Sequence, residues 1–114
     1  MTFLNITTLQ GWVDDFAQLG YAYAGDVRVI PQDGEEGNDT GLVAVSLRSV
    51  STKVYIQPVE VGSLEWCVSF EPRLETAAIS AAKVTNMAAE LTTVAALCTF
   101  LEGNARRHFS PDAP

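Results

Sequence analysis

Histidine occurs once in this 114-residue chain, cysteine twice, lysine twice and tryptophan twice, and the basic residues together number seven against fourteen acids. Each scarcity excludes something. His108 alone would have to act as the base of any Ser/His/Asp or Cys/His arrangement, and it stands next to a tail expected to fray, a poor place from which to hold a proton acceptor within hydrogen-bond reach. Cys67 and Cys98 fit no metal-ligand spacing and no redox motif, so both are expected as free, buried or half-buried thiols of a reducing compartment. The formal charge of −7 and pI near 4.4 oppose binding to phosphate backbones or anionic lipid, which argues against nucleic acid and membranes as partners.

Other absences concern motifs. No G-x-S-x-G, phosphate-binding loop, G-x-G-x-x-G, H-E-x-x-H or C-x-x-C occurs, so the sequence points away from catalysis and implies no cofactor and no metal. The acidic loop from Asp33 to Asp39 lacks the alternating ligands and closing glutamate of a calcium loop. Glu65, Glu71 and Glu75 read as surface charge rather than a paired acid and base. Residues 1–6 lack the basic start and apolar run of a secretory signal. The most apolar stretch, residues 77–101, is interrupted by Lys83, Asn86 and Glu90. No membrane-spanning segment and a cytoplasmic location are therefore expected, and the triplets Asn5-Ile6-Thr7 and Asn38-Asp39-Thr40 read as chance.

What the chain does possess is apolar material. Hydrophobic residues make up 47% of it and the mean hydropathy is +0.13, enough for one core at this length without metals or disulfides. Leu9, Trp12, Val13, Phe16 and Leu19 recur at helical spacing, with Asp14 and Asp15 on the other side, which predicts a helix over 8–19 capped by Thr7 with Gln10 and closed by Gly20. Alternation then predicts strands over 26–30, 42–47, 53–59 and 64–70. In the last, Leu64, Trp66, Val68 and Phe70 share the inward face. Residues 32–41 read as an exposed loop and Pro58 as a strand end. A second helix is predicted from about residue 77 to Leu101, with Val84, Met87, Leu91, Val94, Cys98 and Leu101 in 3-4-3-4-3 spacing and Gly103-Asn104 as its stop.

This order predicts an α+β two-layer sandwich: an N-terminal helix, a four-stranded antiparallel meander and a long C-terminal helix on one sheet face, over residues 1–109, with 110–114 as a frayed tail. One length is out of proportion. The second helix would run ~37 Å, whereas the strands span ~20 Å, so it must break, cross obliquely and overhang, or meet a second copy. Its alanines permit close approach of another backbone and its stripe suits an antiparallel helix pair, which makes a homodimer one expectation.

The gross plan, small size and acidic charge resemble the dimeric acidic chaperones and adaptors of bacterial secretion, and the alanine-rich, lysine-poor composition suits a bacterium or phage. That resemblance implies a non-catalytic protein-protein interaction module, a small acidic adaptor, chaperone-like or inhibitory accessory protein, acting on a protein partner. Candidate partner-binding residues are Asp14, Asp15, Tyr55 and Glu65. Trp66, Phe70, Met87, Leu91 and Val94 are candidates for a dimer face or for the lining of a pocket between sheet and helix. The second use would make the chain a small-molecule-binding or enzymatic domain instead, with a cavity of several hundred Å³. A nucleic-acid mimic would need the carboxylates of residues 14–39 in rows.

Overall fold

A computed structural model describes residues 5–20, 25–31, 41–48, 52–60, 63–71 and 78–109. In chain order these form α1 (Ile6–Ala17), β1 (Gly25–Pro31), β2 (Gly41–Leu47), β3 (Lys53–Pro58), β4 (Trp66–Phe70) and α2 (Ala81–Phe109). The strands form one sheet in the order β1-β2-β3-β4, every neighbour antiparallel, which is the predicted meander. The predicted loop over 32–41, apart from Gly41, falls outside the described residues, as do Tyr21, Tyr23 and the tail 110–114.

The alternation of the strands decides which face the helices cover. Val27, Val29, Val43, Val45, Leu47, Val54, Ile56, Trp66 and Val68 point to one side and pack with Leu9, Val13 and Phe16 of α1 and with Val94, Leu97 and Leu101 of α2. Cross-strand register aligns them, Val29 opposite Val43 opposite Ile56 opposite Val68. Such a continuous apolar layer contributes ~25 cal/mol for each Å² removed from water.

α1 begins two residues earlier than expected, and its cap is Asn5 rather than Thr7. The Asn5 side-chain oxygen accepts from the Thr8 backbone N–H at 2.8 Å, satisfying one of the orphan donors of the first turn. Gly20 does take the left-handed conformation, with φ of +84°. Leu19, expected in the apolar stripe, lies past the helix end and is 57% exposed.

α2 differs more. It starts at Ala81, where the Ser80 hydroxyl accepts from the Lys83 N–H at 3.2 Å, and it runs through Gly103-Asn104 to Phe109. The stop signal is overridden because the added turns are useful: Ala105 is 1% exposed, and the His108 ring packs edge-on against Trp12 of α1 with centroids 5.6 Å apart. Arg106, Arg107 and His108 sit in the last turn, where cations complement the helix dipole. The buried stripe is Glu90, Val94, Leu97, Leu101 and Ala105, shifted from the predicted one, and Val84 is 46% exposed.

Two glutamates dock α2 on the sheet. Glu90, itself buried, accepts the Arg48 backbone N–H at 2.7 Å just past the end of β2, and Glu102 accepts the Trp66 N–H at 2.9 Å at the start of β4. The helix thus crosses diagonally, from the outer strand at one end of the sheet to an inner strand at the other. α1 lies antiparallel beside it: Trp12 meets His108, and Phe16 meets Phe100 at 5.5 Å. By length and composition alone, α2 over Ala81–His108 is apolar enough to cross a membrane, with hydropathy 1.4 in its best window, so the interrupting Lys83, Asn86 and Glu90 do not have the effect expected of them. In this compact globule it is the covering helix, docked through those glutamates.

The diagonal also overturns one assignment. Phe70, predicted to be core, is on the covered side of β4 but at the corner the helix has already left, and it is 56% exposed.

Candidate functional site

Both helices lie on one face of the sheet, so the other face is bare of described elements. Its side chains are those of opposite parity: Asp26, Arg28 and Ile30 from β1, Leu42, Ala44 and Ser46 from β2, Lys53, Tyr55 and Gln57 from β3, and Cys67 and Ser69 from β4. Register sorts them into rows. Arg28 stands opposite Ala44, which stands opposite Tyr55; Asp26 stands opposite Ser46, which stands opposite Lys53.

A groove follows from those rows. The middle strand contributes the small side chains Ala44 and Ser46, while the strands to either side carry long ones, so the sheet surface is a trough with β2 as its floor. Its walls are two strand spacings apart, ~9.6 Å. The groove measures about 410 Å³ and is lined by Asp26, Arg28, Ile30, Ala44, Ser46, Lys53 and Tyr55. Arg28 and Asp26 form an exposed ion pair at 3.3 Å, worth little by itself. Tyr55 makes a long contact of 3.5 Å from its hydroxyl to a carboxylate oxygen of Glu71.

The groove offers a phenol ring, two cations and one carboxylate, with Asp26 and Lys53 as the cross-strand neighbours of Ser46. Histidine is remote, since His108 ends α2 on the covered side, beside Trp12. Among the described residues no group of three or more His, Cys, Asp or Glu side chains could hold a metal.

The predicted site residues do not gather here as a set. Tyr55 lines the groove, while Asp14 and Asp15 are exposed on α1, in the opposite layer, and Glu65 is exposed just before β4. Asp14 and Asp15 on one layer and Asp26 on the other make no row of carboxylates. Of the proposed pocket-lining set, Trp66 and Val94 belong to the packed core, Leu91 is half-buried against it, Met87 is half-exposed, and Phe70 is exposed at the far end of β4 from Trp66. Arg28, Lys53, Ala44 and Ser46 were missed by the sequence reading. The available signal was the pair of small residues at alternate positions of a central strand.

The structure also brings the two cysteines, 31 positions apart, into each other's field. Burial foremost, then the Glu102 carboxylate and then Cys67 raise the Cys98 thiol above its ordinary value of 9.0. Both cysteines are free.

Compared with known proteins, the chain matches no family model, no curated protein and no solved structure.

Proposed function

We propose that this protein is a non-catalytic interaction module, a small acidic adaptor, chaperone-like or inhibitory protein of bacterial or phage type, which holds a protein partner in the groove on the open sheet face. The observation that carries the reading is the trough over Ala44 and Ser46, walled by Tyr55 and Lys53 on one side and Asp26 and Arg28 on the other. A tyrosine and an arginine flanking a floor of small side chains are the residue types on which protein interfaces concentrate their binding energy. The groove's width suits an extended segment or a single inserted side chain, and its cations favour an acidic one. The net charge of −7 keeps nucleic acid and anionic lipid unfavourable as partners, and two free thiols suit the cytoplasm.

The rival reading, a pocket for a small molecule between sheet and α2, draws no support from Trp66 in the core and Phe70 in solvent. The test is affinity capture from the native cell with three baits: the parent chain, Tyr55→Ala with Arg28→Glu, and Asp14→Asn with Asp15→Asn. A partner retained by the α1 variant and lost by the groove variant is the expected result. Identical captures by all three would end the proposal.

A further inference from the structure

β4 is an outer strand of the sheet, and its hydrogen bonds sort its residues by direction. Glu71 donates its N–H to the Lys53 carbonyl at 3.0 Å, and Val59 donates its N–H to the Glu65 carbonyl at 2.8 Å. Bonded and non-bonded pairs alternate along an antiparallel ladder, so Glu65, Cys67, Ser69 and Glu71 turn their backbone groups to β3. Trp66, Val68 and Phe70 turn theirs outward. The Glu102 carboxylate accepts the Trp66 N–H there at 2.9 Å, while no described residue bonds the outward N–H and carbonyl groups of Val68 and Phe70.

The two outer strands are defended unequally. β1 carries Asp26, Arg28 and Pro31, the charges and proline by which sheet edges escape pairing with other chains. β4 reads Trp66-Cys67-Val68-Ser69-Phe70, with no charge, proline or glycine. Phe70 adds a second anomaly, since it lies on the covered side of the sheet and is nevertheless 56% exposed.

We propose that β4 pairs antiparallel with β4 of a second copy of this chain, about a twofold axis at Ser69, joining the two sheets into one. The free backbone groups fix both the partner and the register. With Ser69 opposite the partner's Ser69, Val68 stands opposite the partner's Phe70, and each such pair exchanges both of its N–H···O bonds. Nothing is left over at the ends, because the Trp66 N–H is already held and the residue after Glu71 is Pro72, which has no N–H. Centring the axis on Val68 instead would set each Phe70 carbonyl against a Trp66 N–H that Glu102 occupies. Side chains agree with the Ser69 register. Val27, Val45, Val54 and Phe70 form one cross-strand row and Val29, Val43, Ile56 and Val68 the next, so the join runs one apolar row into the other and covers Phe70 with the partner's Val68. On the open face Glu71 stands opposite the partner's Cys67, and no like charges meet. β4 is two strands from the groove floor on β2, so this contact stands or falls without the groove.

Sedimentation equilibrium of the full chain tests the proposal, with circular dichroism to verify folding. The parent should pass from monomer to dimer mass between about 1 and about 200 μM, the range of a small interface. Ser69→Lys, which sets two cations face to face at the axis, and Phe70→Ser should each raise the dissociation constant at least tenfold, while Leu19→Ser, exposed after α1, should leave it unchanged. Register is read separately by cross-linking with glutathione disulfide in a Cys67→Ser, Cys98→Ala background. Ser69→Cys should give a covalent dimer, since a non-bonded antiparallel pair has Cα atoms ~4.5 Å apart, within disulfide reach. Glu65→Cys, ~27 Å from its counterpart in this register, should not. A monomer at every concentration would overturn the proposal and leave the edge to a strand from elsewhere. So would a dimer indifferent to both Ser69→Lys and Phe70→Ser, or one that Glu65→Cys cross-links as readily as Ser69→Cys.

Discussion

Glu90→Ala isolates what docks the long helix. Glu90 is 8% exposed and its carboxylate accepts the Arg48 N–H at 2.7 Å. A hydrogen bond to a charged acceptor contributes about 1.5–3 kcal/mol, and truncation also strands the Arg48 donor at a partly buried place. Two effects offset this: removing a buried carboxylate spares its desolvation, and alanine is the better helix former by a few tenths of a kcal/mol. The balance is a loss of about 2 kcal/mol. For a chain of this length that corresponds to a fall of about 8 °C in Tm. Glu90→Gln keeps an acceptor and should lose about half as much. Glu102→Ala removes the half-buried second contact, to the Trp66 N–H, and should cost about 1 kcal/mol. The two glutamates are ~18 Å apart along the helix, so the double variant should be additive within ~0.5 kcal/mol. Urea unfolding followed by circular dichroism reads each value, with an unchanged slope confirming that only stability moved. If Glu90→Ala stays within ~0.5 kcal/mol of the parent, the carboxylate is no dock and the diagonal crossing rests on apolar packing alone.

Leu101→Ala, at a fully buried position where α2 meets the sheet, should cost about 3 kcal/mol in the same assay; a loss under ~1 kcal/mol would contradict its place in the core. Trp66→Phe should be almost neutral for so large a buried residue, within ~1 kcal/mol, because the indole N–H is buried with no acceptor and its removal relieves a desolvation cost. A loss of ~3 kcal/mol would reveal a partner for that N–H. The raised Cys98 thiol makes the folded state hold its proton more firmly than the unfolded chain, so this contribution is fully present below pH 9.0 and is lost as pH rises through the folded value. Cys98→Ala should therefore flatten the alkaline limb of stability above pH 9, and an unaltered limb would refute the assignment.

Periodicity by itself determined the order of elements. The alternation in Val43-Ala44-Val45 and Val54-Tyr55-Ile56 specifies strands and their inward faces whatever surrounds them, and the 3.6-residue recurrence of Leu9, Val13 and Phe16 specifies a one-sided helix. Short connections between antiparallel strands then left the meander as the economical pairing. Local pattern cannot say where one layer stops covering another. Phe70 obeys the alternation and still meets water, because α2 crosses from β4 toward β2 and abandons that corner. Gly103-Asn104 reads as a helix stop, yet burial of Ala105 and the Trp12 contact of His108 outweigh a weak preference. Glu90 and Glu102, in sequence two charges spoiling an apolar run, become acceptors for sheet amides only once the helix is laid across the strand ends. The groove likewise exists only after register sets Arg28, Ala44 and Tyr55 side by side. Tertiary structure decided those matters because each depends on which distant group arrives at a given atom, and propensities of a few tenths of a kcal/mol yield to contacts several times larger.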